Sequence, residues 1–172
     1  MITEIILASA SPRREQLLKQ IGVSFRVIPS EADESNTAVH RPDEYVKQCA
    51  LAKAKVVASR VSPADIVIGA DTVVALGEIV FGKPSDATDA ARMLQQLSGR
   101  THSVWSGLAV LAPQSQYVTA VETKVTLAEL STHQIERYVA SGEPMDKAGA
   151  YAIQGLGAVF VKRIDGCYYN VV

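Results

Sequence analysis

Five short stretches hold the residues best suited to chemistry. "LASASPRREQLLKQIG" (7–22) reads as a strand end feeding a helix that opens at Ser11, with Arg13 and Arg14 in its first turn. A first turn carries partial positive charge and unpaired N–H groups, so it favours anions; two arginines there ask for a negative partner. The hydroxyls of Ser9 and Ser11, the helix N–H groups and both guanidinium groups make a phosphate-sized cradle. The plain alternative is a pair of solvated arginines and a Ser11 that only caps. In the next helix, Val46, Cys49, Ala50, Val56 and Val57 define an apolar stripe, and Lys53 falls on it while Lys47 and Lys55 lie on other faces. A lysine on an inward stripe either snorkels to an edge or points into a pocket that holds negative charge.

Asp71 interrupts the apolar run "IVIGADTVV" and by alternation shares a face with Val67, Gly69 and Val73. An ionised carboxylate there is costly unless it is paired or bound to metal; bonding to backbone N–H groups is the structural alternative. Gly69 removes a side chain beside it, which is expected to leave room for a ligand. The acidic cluster "EADE", with Glu31, Asp33 and Glu34, is either a solvated turn or, together with Asp71, an all-oxygen site for Mg²⁺ or Mn²⁺. In "FGKPS", Lys83 sits in a stiff turn between glycine and proline, either exposed or aimed at an anion.

These residues need elements to position them. "EIILAS" (4–9) reads as a buried strand. Ser11 is the expected N-cap and Pro12 the first helical residue. Leu17, Leu18 and Ile21 form the apolar side of that helix, and Gly22 closes it. "VSFRVIPS" (23–30) reads as a second strand and 31–41 as a loop. Pro42, Asp43 and Glu44 open a helix over 42–59. "DIVIGADTVVAL" (65–76) and "IVFGKP" form a hairpin through "GE". A helix over 86–97 faces Ala90, Met93, Leu94 and Leu97 inward and ends at Gly99. Two long strands follow, "THSVWSGLAVLA" and "QYVTAVETKVTLAEL", with a turn at "PQSQ". Ser131 and Gln134 predict a capping box for a helix over 131–141. "GEPMDKAGAYAIQG" (142–155) reads as a long loop and "AVFVKRIDG" as the last strand. Helices interleaved with hairpins argue for a mixed α/β sheet rather than a purely parallel one.

The chain of 172 residues suits one domain spanning 1–172, or two small lobes, with a real core. A net charge of −1 excludes a broad electrostatic footprint for nucleic-acid polymer or anionic membrane. No run approaches a membrane span, and "MITEIILAS" lacks the pattern of a signal peptide. Cys49 and Cys167 match no zinc motif and imply no disulfide framework; both read as structural, and a reducing cytoplasm suits them. His40, His102 and His133 lack metal-ligand spacing. The Rossmann fingerprint, the P-loop and G-x-S-x-G are absent.

"LASASPRREQL", "IGADTVV", "GKP", "LSGRTHSVWSG" and "GEPMDKAGAYAIQG", in this order, resemble the Maf family of nucleoside triphosphate pyrophosphatases over nearly the whole chain. The last stretch is similar to the branch that acts on dTTP and UTP rather than on 7-methyl-GTP. The resemblance implies an elongated mixed sheet flanked by helices, two lobes with a central cleft, similar to the inosine triphosphate pyrophosphatases. It implies hydrolysis between the α and β phosphates with a divalent metal, Mg²⁺ or Mn²⁺, and a link to arrest of septum formation and cell division. It implies a homodimer.

By the same resemblance Asp71 matches the proton acceptor. Arg13, Thr72 and Gln154 match positions tied to base selection, and Ser9, Arg14, Glu34, Lys53 and Lys83 match the phosphate- and metal-handling set. Glu34 and Asp71 are thus the expected metal ligands, though the sequence leaves open which of them is base and which is ligand. A non-catalytic regulator that senses triphosphates with the same residues is the competing reading. Family chains commonly continue past "NVV" with a Gly-Leu-Pro segment and a further helix, and Ser106 stands where threonine is common. Base choice has a physical candidate: uracil and thymine present N3–H and O4, and the amide of Gln154 carries the complementary acceptor and donor.

Overall fold

The computed structural model describes residues 3–32 and 41–172. Seven strands form one mixed sheet: β1 (Ile5–Leu7), β2 (Arg26–Val27), β3 (Ile66–Leu76), β4 (Ile79–Phe81), β5 (Thr101–Ala112), β6 (Ser115–Leu127) and β7 (Val161–Asp165). The helices are α1 (Pro12–Gln20), α2 (Pro42–Ala58), α3 (Ala87–Leu97), α4 (Thr132–Ala140) and the short α5 (Tyr168–Val171). The strand order is β2-β1-β3-β5-β6-β7, with β4 paired to β3. β1 runs parallel to β2 and β3, while β4 is antiparallel to β3 and β7 to β6. This is the mixed α/β sheet expected from the interleaved pattern. The chain divides into two compact units, Met1–Asp71 with Ser106–Val121, and Thr72–Trp105 with Glu122–Val172.

The first unit packs α2 on the sheet around Ile6, Ala8, Ala50, Ala54, Val57, Val67 and Ala109. Small residues dominate because the helix backbone lies directly on the strands. A Cβ on Gly69 would fall 2.2 Å from the Ala50 carbonyl oxygen, and one on Gly107 would fall 2.1 Å from that of Val46. Gly69 therefore makes room for the α2 backbone, not for a ligand as the sequence suggested. Buried Asp65 joins the start of β3 to the chain before β1, accepting from the N–H groups of Glu4 and Ser62.

Helix α1 keeps part of its expected packing: Leu17 and Leu18 are half-buried, but no residue is fully buried and Ile21 is 70% exposed. Its C-terminal end is secured by polar bonds: Gly22, at φ 74°, closes a Schellman motif in which Gly22 N–H reaches Lys19 O and Val23 N–H reaches Leu18 O. β2 holds two residues rather than the eight of 23–30.

The second unit is built around Val74, Phe81, Leu94, Leu97, Val125, Leu127, Ile135, Tyr138 and Phe160. The predicted inward residues of α3, Ala90, Met93, Leu94 and Leu97, are its buried ones, and Asp86 caps it by accepting from Asp89 N–H. The Ser131–Gln134 capping box of α4 is present in both directions. Pro113 and Gln114 alone connect β5 and β6, so the turn is half the length expected. The segment 142–155, read as an open loop, is instead wound into 3₁₀ turns at Glu143–Asp146 and Ala148–Ala150, with a third at Gly155–Phe160. Cys49 is buried, but Cys167 is exposed.

Candidate active site

In the first unit β1 runs into Ser9, a buried polar residue. Its Oγ accepts from Ser11 N–H at 3.2 Å and from Nη1 of Arg14 at 3.2 Å. The same Nη1 donates to the Ala70 carbonyl at 2.8 Å. Arg14 thus ties the first turn of α1 to β3, one residue before Asp71, so part of its donor set positions protein rather than awaiting phosphate. Ser11 holds the N-cap position in extended conformation, yet its side chain makes no capping bond to the helix. Arg13, next to Arg14, is half-buried.

Alternation on β3 buries Val67, Gly69, Asp71 and Val73 on one face. Asp71 is countered from α2: Nζ of Lys53 donates to Asp71 Oδ1 at 2.6 Å, with the two side chains 14% and 9% exposed. The sequence had left Lys53 between a snorkelling role and a negatively charged pocket; its partner is the buried carboxylate. Each charge compensates the other in a place where either alone would be costly. The pair owes its geometry to Gly69, because Ala50 and Ala54, the α2 residues pressed against that glycine, bracket Lys53. Ser9, Arg14, Lys53 and Asp71 are therefore joined by bonds around the residues Ala70 and Asp71. Glu34 and Asp33 lie outside the described residues, as does His40.

The second unit carries the other expected residues. Thr72 follows Asp71 on β3 and is half-buried. Lys83 is exposed in its turn before buried Pro84. That turn is anchored: Gly82 O accepts from Gly149 N–H at 3.0 Å, and Gly149, at φ 71°, presses on Val74. Ala150 follows at φ 58°, the one non-glycine with positive φ among the described residues. Tyr151 is buried, its hydroxyl 2.8 Å from Nε2 of buried His102, whose pKa burial pushes down to about 4. Gln154 is exposed.

Sequence reasoning passed over the group that shapes the chain around Gln154. The Tyr138 hydroxyl donates to Glu143 Oε1 at 2.9 Å and accepts from Ala152 N–H at 3.1 Å. Glu143 accepts from Gly157 N–H through Oε1 and from Leu156 N–H through Oε2, each at 2.9 Å. Burial works to raise the Glu143 pKa, but the two backbone N–H groups, the Tyr138 hydroxyl and Lys147 outweigh it and hold the carboxyl below its ordinary value. Gly155, at φ 70°, is required here, since a Cβ would stand 2.5 Å from Glu143 Oε2. The two glycines at 155 and 157, spaced for close approach of backbone to a side chain, were the available signal.

The family model described as "Maf-like protein" matches residues 4–172. A dTTP/UTP pyrophosphatase of Gloeobacter violaceus is 49% identical over 172 residues, covering 100% of this chain and 90% of the relative. One of Pelotomaculum thermopropionicum is 50% identical over 171 residues, covering 98% and 89%. Among solved structures, the Staphylococcus aureus Ham1 protein aligns with a TM-score of 0.52 at 17% identity over 74% of this chain and 73% of that one, a likeness of fold. With the match running through every stretch that carries Ser9, Lys53, Asp71 and Gln154, the chain belongs to the Maf family.

Proposed function

We propose that this chain is a dTTP/UTP pyrophosphatase that hydrolyses the α–β anhydride of the nucleotide, releasing the monophosphate and pyrophosphate. The observation that carries the reading is the buried Lys53–Asp71 pair beside the Ser9–Arg14 knot, in a chain about half identical over its full length to relatives bearing that activity as their name. In the reaction a water oxygen bonds to the α phosphorus, the bridging bond to the β phosphate breaks, and pyrophosphate leaves. Asp71 is the proton acceptor for that water. Lys53 holds the Asp71 carboxylate in place. Arg14 and Lys83 supply positive charge to the phosphates, and positioning with electrostatic stabilisation accounts for most of the acceleration. Arg13, Thr72 and Gln154 belong to base selection in this reading.

The described residues contain no group of three or more His, Cys, Asp or Glu placed to hold a metal ion. Asp71, with Glu34 outside the described residues as the other expected ligand, would hold a Mg²⁺ that comes with the nucleotide, because that ion takes one or two carboxylates and completes its shell with phosphate oxygens and water. Bound in this way the metal would neutralise phosphate charge and make water more acidic. Pyrophosphate release from dTTP, UTP, dCTP and dATP, with Mg²⁺ or Mn²⁺ and after chelation, tests the whole reading. Release from dTTP and UTP that stops on chelation is expected. Binding of triphosphates without turnover under every metal condition would favour the non-catalytic regulator of septum formation instead.

A further inference from the structure

Glu143 has no place in the chemistry above, yet it is the most heavily used acceptor in its segment. Its two oxygens take three donors: the Tyr138 hydroxyl, Gly157 N–H and Leu156 N–H. The Tyr138 hydroxyl also accepts from Ala152 N–H. The residues held are 152, 156 and 157, so the backbone is fixed on both sides of Gln154. Tyr138 itself is buried on α4 and packs edge-on against Phe160, with ring centroids 5.0 Å apart, so the anchor is rigid. Gly155 and Gly157 lack the side chains that would push the strap away from Glu143 and Tyr138.

We propose that Glu143 is a positioning residue for base selection: clamped by Tyr138, it fixes the strap that presents the Gln154 amide to the pyrimidine. This rests on the dTTP/UTP reading above. A carboxylate suits the task because it accepts on both oxygens. The isosteric amide would turn an NH₂ donor toward Leu156 N–H or toward the Tyr138 and Gly157 donors, and one side of the clamp would open. Gln154 would keep its chemistry and lose its aim.

The test compares Glu143→Gln, Tyr138→Phe, Gln154→Ala and the Glu143→Gln/Gln154→Ala double variant, using kcat and KM for dTTP, UTP and dCTP with Mg²⁺. Thermal melts identify variants that fold. Glu143→Gln is expected to lower the kcat/KM ratio of dTTP over dCTP about tenfold or more, chiefly through KM for dTTP. Tyr138→Phe should move the ratio the same way and carries the test if Glu143→Gln does not fold. In the Gln154→Ala background, Glu143→Gln should change the ratio by less than about twofold, because the two act in series. A wild-type ratio in Glu143→Gln, or an equal change in both backgrounds, overturns the proposal while leaving the pyrophosphatase reading intact. A wild-type enzyme with no turnover of dTTP or UTP overturns that reading, and the proposal with it.

Discussion

Replacing Gly69 with alanine adds a single methyl group where α2 lies directly on β3. The new Cβ would stand 2.2 Å from Ala50 O and 2.9 Å from Ala54 N, inside a helical turn, whereas ordinary contact begins near 3.4 Å. The obstacles are backbone atoms, so no side-chain rotation relieves the clash, and this stretch of α2 must back away by about 1 Å. Lys53 lies on that stretch. A 1 Å retreat would lengthen its 2.6 Å bond to Asp71 beyond hydrogen-bonding reach. Overpacking of this kind costs roughly 1–3 kcal/mol, and a change of about 2 kcal/mol lowers Tm by about 4–8 °C in a chain of this size. Misplacement of a positioning cation by that distance should lower kcat by about 100-fold. Urea unfolding and pyrophosphate release from dTTP measure the two effects in one preparation. A Gly69→Ala protein with wild-type stability and turnover would refute the argument that backbone contact sets the Lys53–Asp71 geometry.

Three further outcomes follow from the same structure. Lys53→Met leaves Asp71 charged and without its partner, and should destabilise the protein by roughly 3–5 kcal/mol, whereas Lys53→Met/Asp71→Leu should regain most of that in urea titrations without regaining turnover. Asp71→Asn keeps an oxygen for Lys53, so it should fold with a near-native melt while pyrophosphate release falls by about 10²–10⁴-fold; native-like release would remove Asp71 from the mechanism. His102 is held near 4 by burial against an ordinary 6.5. The unfolded chain binds a proton there that the native chain refuses. Stability should therefore be full above pH about 6.5 and decline toward pH 4 by roughly 2–3 kcal/mol, a slope that His102→Gln should flatten in unfolding midpoints measured across that range.

The elements with strong periodicity were the legible ones. α3 and α4 announce themselves by four inward apolar residues and by a capping box, because local sequence alone determines both features. Asp71 and Lys53 stood out because each is a charge on an otherwise apolar face, and two such costs are most simply met by each other. Gly69 was misread for a physical reason: a missing side chain signals a close neighbour without saying whether it is a ligand or a helix. The apolar side of α1 holds for Leu17 and Leu18, which are half-buried, but not for Ile21, which stands at the helix end where the Schellman closure turns the chain; Arg14 adds a polar tie to β3. The strap at 142–160 was illegible because its order comes from Glu143 and Tyr138 reaching partners 13 and 14 residues away, beyond any local pattern.

The division of the chain bears on how it is made. The first unit takes its last strands from Ser106–Val121, after the second has already begun at Thr72, and the second resumes at Glu122. During synthesis from the N-terminus neither unit can close on its own contiguous stretch. The first waits for residue 121, and its parallel β1–β3 pairing already joins residues about sixty positions apart. Folding of the two is therefore interlocked in time: the ribosome must deliver part of each before either is complete, and no single cut in the gene yields one of them whole.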